Sequence, residues 1–126
     1  MSDDEPTFSI PQRPTRRYRR HGGVEYEGET VFTLRPERDS EKRSLAALAE
    51  SVLERGPYRY GDWFDLPMPV YLVHDDETGD TFRVAVRDGT IRLYVLPDTD
   101  PPGLRAFYDR LDRRTESAWS VTCRTD

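Results

Sequence analysis

Apolar and polar residues alternate most strictly between Thr81 and Leu96. Phe82, Val84 and Val86 interleave with Thr81, Arg83, Ala85 and Arg87, and Ile91, Leu93 and Val95 interleave with Arg92, Tyr94 and Leu96. Between them stands Asp88-Gly89, a pair that tolerates the two left-handed backbone positions of a tight hairpin turn. Counting outward from that turn sets Val86 opposite Ile91, Val84 opposite Leu93 and Phe82 opposite Val95. Every apolar pair then shares one face, so turn chemistry and pattern agree on one register. The opposite face receives Arg83, Arg87, Arg92 and Tyr94, with Arg83 across from Tyr94, close enough for a cation–π contact.

The same two-residue period predicts further strands. Val70 to Val73 forms one before the hairpin, and Thr30 to Arg35 forms another, with Val24-Glu25-Tyr26 a candidate partner for it across Glu27-Gly28. The last strand should turn Trp119, Val121 and Cys123 inward and Ser120, Thr122 and Arg124 outward. Two stretches switch to helical spacing. Leu45, Leu48, Ala49, Val52 and Leu53 make the stripe of a helix from about Ser40 to Arg55, capped by Asp39 or Ser40 and stopped at Gly56-Pro57. Leu104, Phe107, Tyr108 and Leu111 mark a second, with Asp100 at the N-cap and Pro101 in the first position. The predicted order is β(β)-α-β-β-β-α-β. It implies an α+β fold: one largely antiparallel sheet of five to six strands with both helices on one face. The other face is left to water or to a partner.

Composition changes this picture in two ways. Eighteen arginines stand against one lysine, Lys42, and 24 acidic residues give a net charge of −5. Carboxylates favour solubility more than cations do, and Arg pairs with them in planar, bidentate geometry. That balance predicts a cytoplasmic protein of a salt-accumulating halophile. The charge is also unevenly placed. Five arginines fall in the eight residues from Arg13 to Arg20, where prolines and glycines leave no helical or strand period. Residues 1–22 therefore read as a disordered Arg-rich arm, and 23–126 as a single α+β domain. No secretory leader and no apolar run long enough to span a membrane is present.

Candidate chemistry is sparse. There is no glycine-rich phosphate loop, no nucleophile elbow and no metal-binding signature, and the lone Cys123 can form no internal disulfide. A nucleophilic site would have to join His74 to Cys123 or a serine, and nothing in the pattern brings these together. His74, Asp75, Asp76, Glu77 and Asp80 form the one acidic cluster, and it reads as a solvated turn with Gly79 in the left-handed position. No catalytic residue, metal or cofactor is assigned, and the chain reads as a non-enzymatic module.

Two surfaces remain. Tyr58, Tyr60, Trp63, Phe64 and Met68 lie in a stretch broken by glycine and prolines, a composition suited to anchoring a protein partner or a second copy, or to plugging the core. This interaction role is the leading expectation. The alternative is an RNA-associated protein using Arg13, Arg16, Arg17, Arg19 and Arg20 of the arm together with Arg83, Arg87, Arg92 and Tyr94. Five arm arginines alone would lose roughly four to five decades of single-strand or duplex affinity between about 0.15 and 2 M salt. The arm would therefore need a structured surface beside it. The simpler alternative pairs the sheet arginines with carboxylates on neighbouring strands, Glu25 and Glu27 among them.

Overall fold

The computed structural model describes residues 8–18, 20, 22–37, 45–62, 70–115 and 118–125. Its elements run β1 (Thr15–Tyr18), β2 (Val24–Glu27), β3 (Thr30–Pro36), α1 (Leu45–Arg55), β4 (Tyr58–Asp62), β5 (Val70–Asp75), β6 (Thr81–Arg87), β7 (Thr90–Val95), α2 (Pro101–Arg113) and β8 (Trp119–Thr125). Six strands form one antiparallel sheet in the order β4-β5-β6-β7-β3-β8. The fold is α+β, as the pattern predicts. No helix among the described residues is long and apolar enough to cross a membrane.

The β6–β7 hairpin has the register read from the sequence, with Phe82 opposite Val95, Val84 opposite Leu93 and Val86 opposite Ile91. Asp88 and Gly89 both take positive φ, 52° and 70°, as the tight turn requires. One sheet face and both helices bury a common core: Leu34, Val73, Phe82, Val84, Ile91 and Leu93 from the strands meet Leu45, Ala49, Val52 and Leu53 of α1 and Leu104, Phe107 and Leu111 of α2. Phe107 packs edge-on to Phe82 and Tyr58, with centroid separations of 5.8 and 5.9 Å.

Several expectations are corrected. Much of the stretch read as a free arm is built into the domain. Phe8 is 2% exposed and wedged between Phe32 and Tyr108, with ring centroids 5.2 and 5.5 Å away. An aromatic ring loses too much apolar burial by staying in water, and this one closes a gap that strands and helices leave open. Gln12 then accepts the Thr30 hydroxyl at its carbonyl, and Arg13 donates to the Thr99 carbonyl through Nε and Nη2 at 3.2 and 3.1 Å. Beyond this anchor β1 pairs with β2 as a separate two-stranded hairpin, so β2 does not pair with β3. Gly22 and Gly23, with φ of 89° and 93°, make the turn that allows it.

The stretch after α1 also differs. Tyr58–Asp62 is not irregular but an edge strand paired to β5. The start of the first predicted helix, residues 40–44, lies outside the described residues. In β8, Trp119 and Val121 pack against the core, while Cys123 is exposed although it shares their side of the strand. Cover from the helices does not extend to that end of the edge strand.

The acidic turn is not simply solvated. Asp75 is fully buried, its Oδ1 accepting the N–H groups of Glu77 at 2.8 Å and Thr78 at 3.2 Å. Asp80 is buried as well. Its Oδ2 accepts the Gly103 N–H at 2.7 Å and caps α2. Asp100 does occupy the N-cap position before Pro101, but its side chain makes no cap bond and instead pairs with Arg13 at 2.6 Å.

Candidate binding surface

The helices cover one face of the sheet, and strand alternation fixes what the other presents. Cross-strand partners share a face, so the strand registers assemble rows across the outer side. One row runs Gly61, Leu72, Arg83, Tyr94, Val31, Arg124, and the next Val70, Ala85, Arg92, Thr33, Thr122. Arg59 lies beside His74 and Thr81, Arg87 beside Thr90, and Arg35 beside Ser120. The outward positions of the six strands therefore hold Arg35, Arg59, Arg83, Arg87, Arg92 and Arg124, together with His74, and no carboxylate. In a chain of net charge −5 this is a strong local reversal.

Among the described residues, carboxylates reach this face from its turns. Asp88 lies 3.4 Å from Arg87 and 3.6 Å from Arg92. Asp76 lies 3.1 Å from Arg59 and 3.8 Å from His74. The Arg87, Arg59 and His74 contacts are exposed and weak, whereas Arg92 is largely buried, its Nε without a hydrogen bond among the described residues. Arg35, Arg83 and Arg124 form no ion pair among the described residues. Glu25 and Glu27 belong to β2, in the other sheet.

At the centre, Arg83 faces Tyr94 in the predicted register, both partly exposed. The cation–π contact lies elsewhere, with the Arg110 guanidinium 5.3 Å from the Tyr58 ring centroid. Arg83 and Tyr94 instead line a cavity of 380 Å³ walled by Val95, Leu96, Pro14, Gly28 and Glu29. Its dimensions suit a small planar group, with an aromatic wall, a guanidinium and the Glu29 carboxylate at its edges. Pro14 reaches this rim because the Arg13 anchor carries the N-terminal segment around the sheet from the buried Phe8.

The other sequence candidates separate. Arg13 is committed to Thr99 and Asp100, so it is a structural clamp. Arg16 and Arg17 belong to β1, Arg20 is exposed, and Arg19 lies outside the described residues. Trp63, Phe64 and Met68 also lie outside them. Tyr58 is spent internally: it receives a 2.8 Å hydrogen bond from Arg110 Nη1 and packs on Phe107. Burial pushes its pKa up to about 12, against the pull of Arg110. Tyr60 is exposed on the edge strand, edge-on to Tyr71 at 6.0 Å. Desolvation and the carboxylates of Glu54 and Glu50 raise its pKa.

Sequence reasoning left out Arg35 and Arg59. Arg35 sits at an outward position of the alternating stretch 30–35, so its signal was present. Arg59 was hidden because Tyr58–Asp62 carries glycine and polar residues next to a proline-rich stretch.

The structure does not bring His74 and Cys123 together. His74 of β5 and Cys123 of β8 are four strands apart, roughly 19 Å at ordinary strand spacing, and point to opposite faces. Among the described residues no three metal-ligating side chains gather in one place. No family model, no curated protein and no solved structure matches this chain.

Proposed function

We propose that this protein is a binding module whose outer sheet face takes a single-stranded nucleic acid, RNA in the first instance. The observation that carries this reading is the outer face itself: six arginines and no carboxylate on the outward strand positions of an acidic chain, with Tyr94 and Leu72 in the central row. Guanidinium groups at strand spacing track a phosphate backbone, and an aromatic wall beside them stacks a base without demanding one sequence. The cavity beside Arg83 gives one base a place to lodge, with Glu29 available to accept from an exocyclic amine.

Salt separates this surface from a charged tail. If Arg35, Arg83 and Arg124 each neutralise one phosphate, the log–log salt slope on a single strand is roughly −2. Raising salt from about 0.15 to 2 M then weakens binding by roughly 2.4 decades. Stacking on Tyr94, worth about 1–3 kcal/mol, does not depend on ionic charge. Anisotropy of a labelled single-stranded oligonucleotide tests the reading. Tyr94→Ala should weaken binding at low and at molar salt alike, whereas Arg83→Ala should lower affinity and make the slope shallower by about 0.7. Unchanged binding in both variants would remove the sheet face from consideration.

A protein-binding role keeps one specific observation in its favour. Tyr60 is exposed on β4, an edge strand whose free side can accept an added strand. A Tyr60→Ala change that weakens self-association while sparing oligonucleotide binding would support it.

A further inference from the structure

On the helix side, the C-terminal ends of α1 and α2 border a cavity of 250 Å³ lined by Arg55, Arg110, Arg113 and Arg114 with Val52 and Gly56. No carboxylate lines it among the described residues. Helix C-termini attract cations, but each supplies only about half a negative charge. Two helix ends, the Glu77 carboxylate bound to Arg110 Nη2 at 2.8 Å and the Asp75 carboxylate, whose field also reaches Arg110, bring about −3 against four positive charges. Tyr58 adds nothing to that balance, because a phenol is neutral at physiological pH.

The guanidinium groups are also underused. Each carries five N–H donors. Arg110 is held by Tyr58 and Glu77, and Arg114 by the Ser51 hydroxyl at 2.9 Å. These contacts fix the two side chains and leave donors over. Arg55 and Arg113 make no hydrogen bond or ion pair among the described residues. Two positioned and two free arginines around one cavity form a ready cradle for a compact dianion. A carboxylate has two oxygens for these guanidinium groups, whereas a phosphate offers three or four and can accept from several of them at once. We infer that this cavity binds a phosphate group, carried either by inorganic phosphate or by a small phosphomonoester. The site is independent of the sheet face, which lies on the other side of the molecule.

Titration of the full-length protein with inorganic phosphate and with phenyl phosphate, at ionic strength fixed with KCl, tests this through the arginine Nε–H signals in NMR. Both ligands should produce saturable shifts. Equal affinities assign the free ion as sufficient, and tighter phenyl phosphate assigns the monoester. Arg55→Ala and Arg113→Ala should each weaken binding about tenfold. Neither residue has a hydrogen-bond or ion-pair partner among the described residues, so both variants should keep the wild-type amide dispersion, and Arg83→Ala should bind phosphate normally. Shifts that never saturate, that KCl alone reproduces, or that survive both substitutions would overturn the assignment.

Discussion

The Asp80 carboxylate accepts a 2.7 Å hydrogen bond from the backbone N–H of Gly103, joining the turn before β6 to the first turn of α2. Both residues are buried, and the contact is so close that a Cβ on Gly103 would sit 2.5 Å from the Asp80 side chain. Helix N-termini leave backbone donors unpaired, and a carboxylate there is favoured by both hydrogen bonding and the helix dipole. Asp80→Ala should lower unfolding free energy by about 1.5–3 kcal/mol in denaturant titrations. Gly103→Ala should destabilise as well, although alanine has the better helix propensity.

Phe8 supplies a second test. A disordered N-terminal arm would tolerate any substitution, whereas a ring buried between Phe32 and Tyr108 should not. Phe8→Ala should cost about 3–5 kcal/mol by chemical denaturation. Arg13→Ala, which frees the Thr99 carbonyl and Asp100, should cost about 1–2 kcal/mol. Truncation to residues 23–126 should be less stable than full-length protein, and a stability change near zero would contradict the anchored reading.

Asp75 is asymmetrically satisfied. Its Oδ1 accepts two backbone donors, while Oδ2 is buried without a hydrogen bond. Asp75→Asn keeps the turn acceptor and removes a buried charge, so it should change stability by less than about 1 kcal/mol. Asp75→Ala strands the N–H groups of Glu77 and Thr78 and should cost about 2–3 kcal/mol. Thermal melts of the two variants side by side give the comparison.

Tyr58 makes a pH prediction. Burial raises its pKa to about 12, from an ordinary value of 10.0. Its neutral form is therefore favoured by folding. The associated stability is complete below about pH 10 and is lost as pH rises toward 12, because the unfolded chain ionises first. With screening of a partly exposed ring, the effect should be on the order of 1 kcal/mol. Ultraviolet titration should show one tyrosine ionising last, and Tyr58→Phe should remove that component.

The hairpin from Thr81 to Val95 was legible because two independent signals, the Asp88-Gly89 turn and the two-residue apolar period, demanded the same register. The helix stripes were legible for the same reason, spacing and end signals agreeing. What the pattern could not carry was partnership over distance. The period of Val24–Glu27 suggests a partner only in the strand that follows, whereas the left-handed Gly22-Gly23 turn pairs it with β1 instead. Asp80 looks like any turn acid until α2 lies against it. The outer surface was half visible: Arg83, Arg87, Arg92, Tyr94 and Arg124 follow from local alternation. The absence of carboxylates from the outward positions of all six strands emerges only when β3, β4 and β8 take their places in the sheet.

The most direct test of the sheet face is an amide NMR titration of the full-length protein with a short single-stranded RNA such as an eight-residue oligouridine. Perturbations should concentrate on β3, β6 and β7 around Val31, Arg83, Arg92 and Tyr94, and the Tyr94 shifts should persist at molar KCl. Shifts confined to Tyr60 and the β4 edge, shifts confined to the helices, or no shifts at low salt would contradict the account.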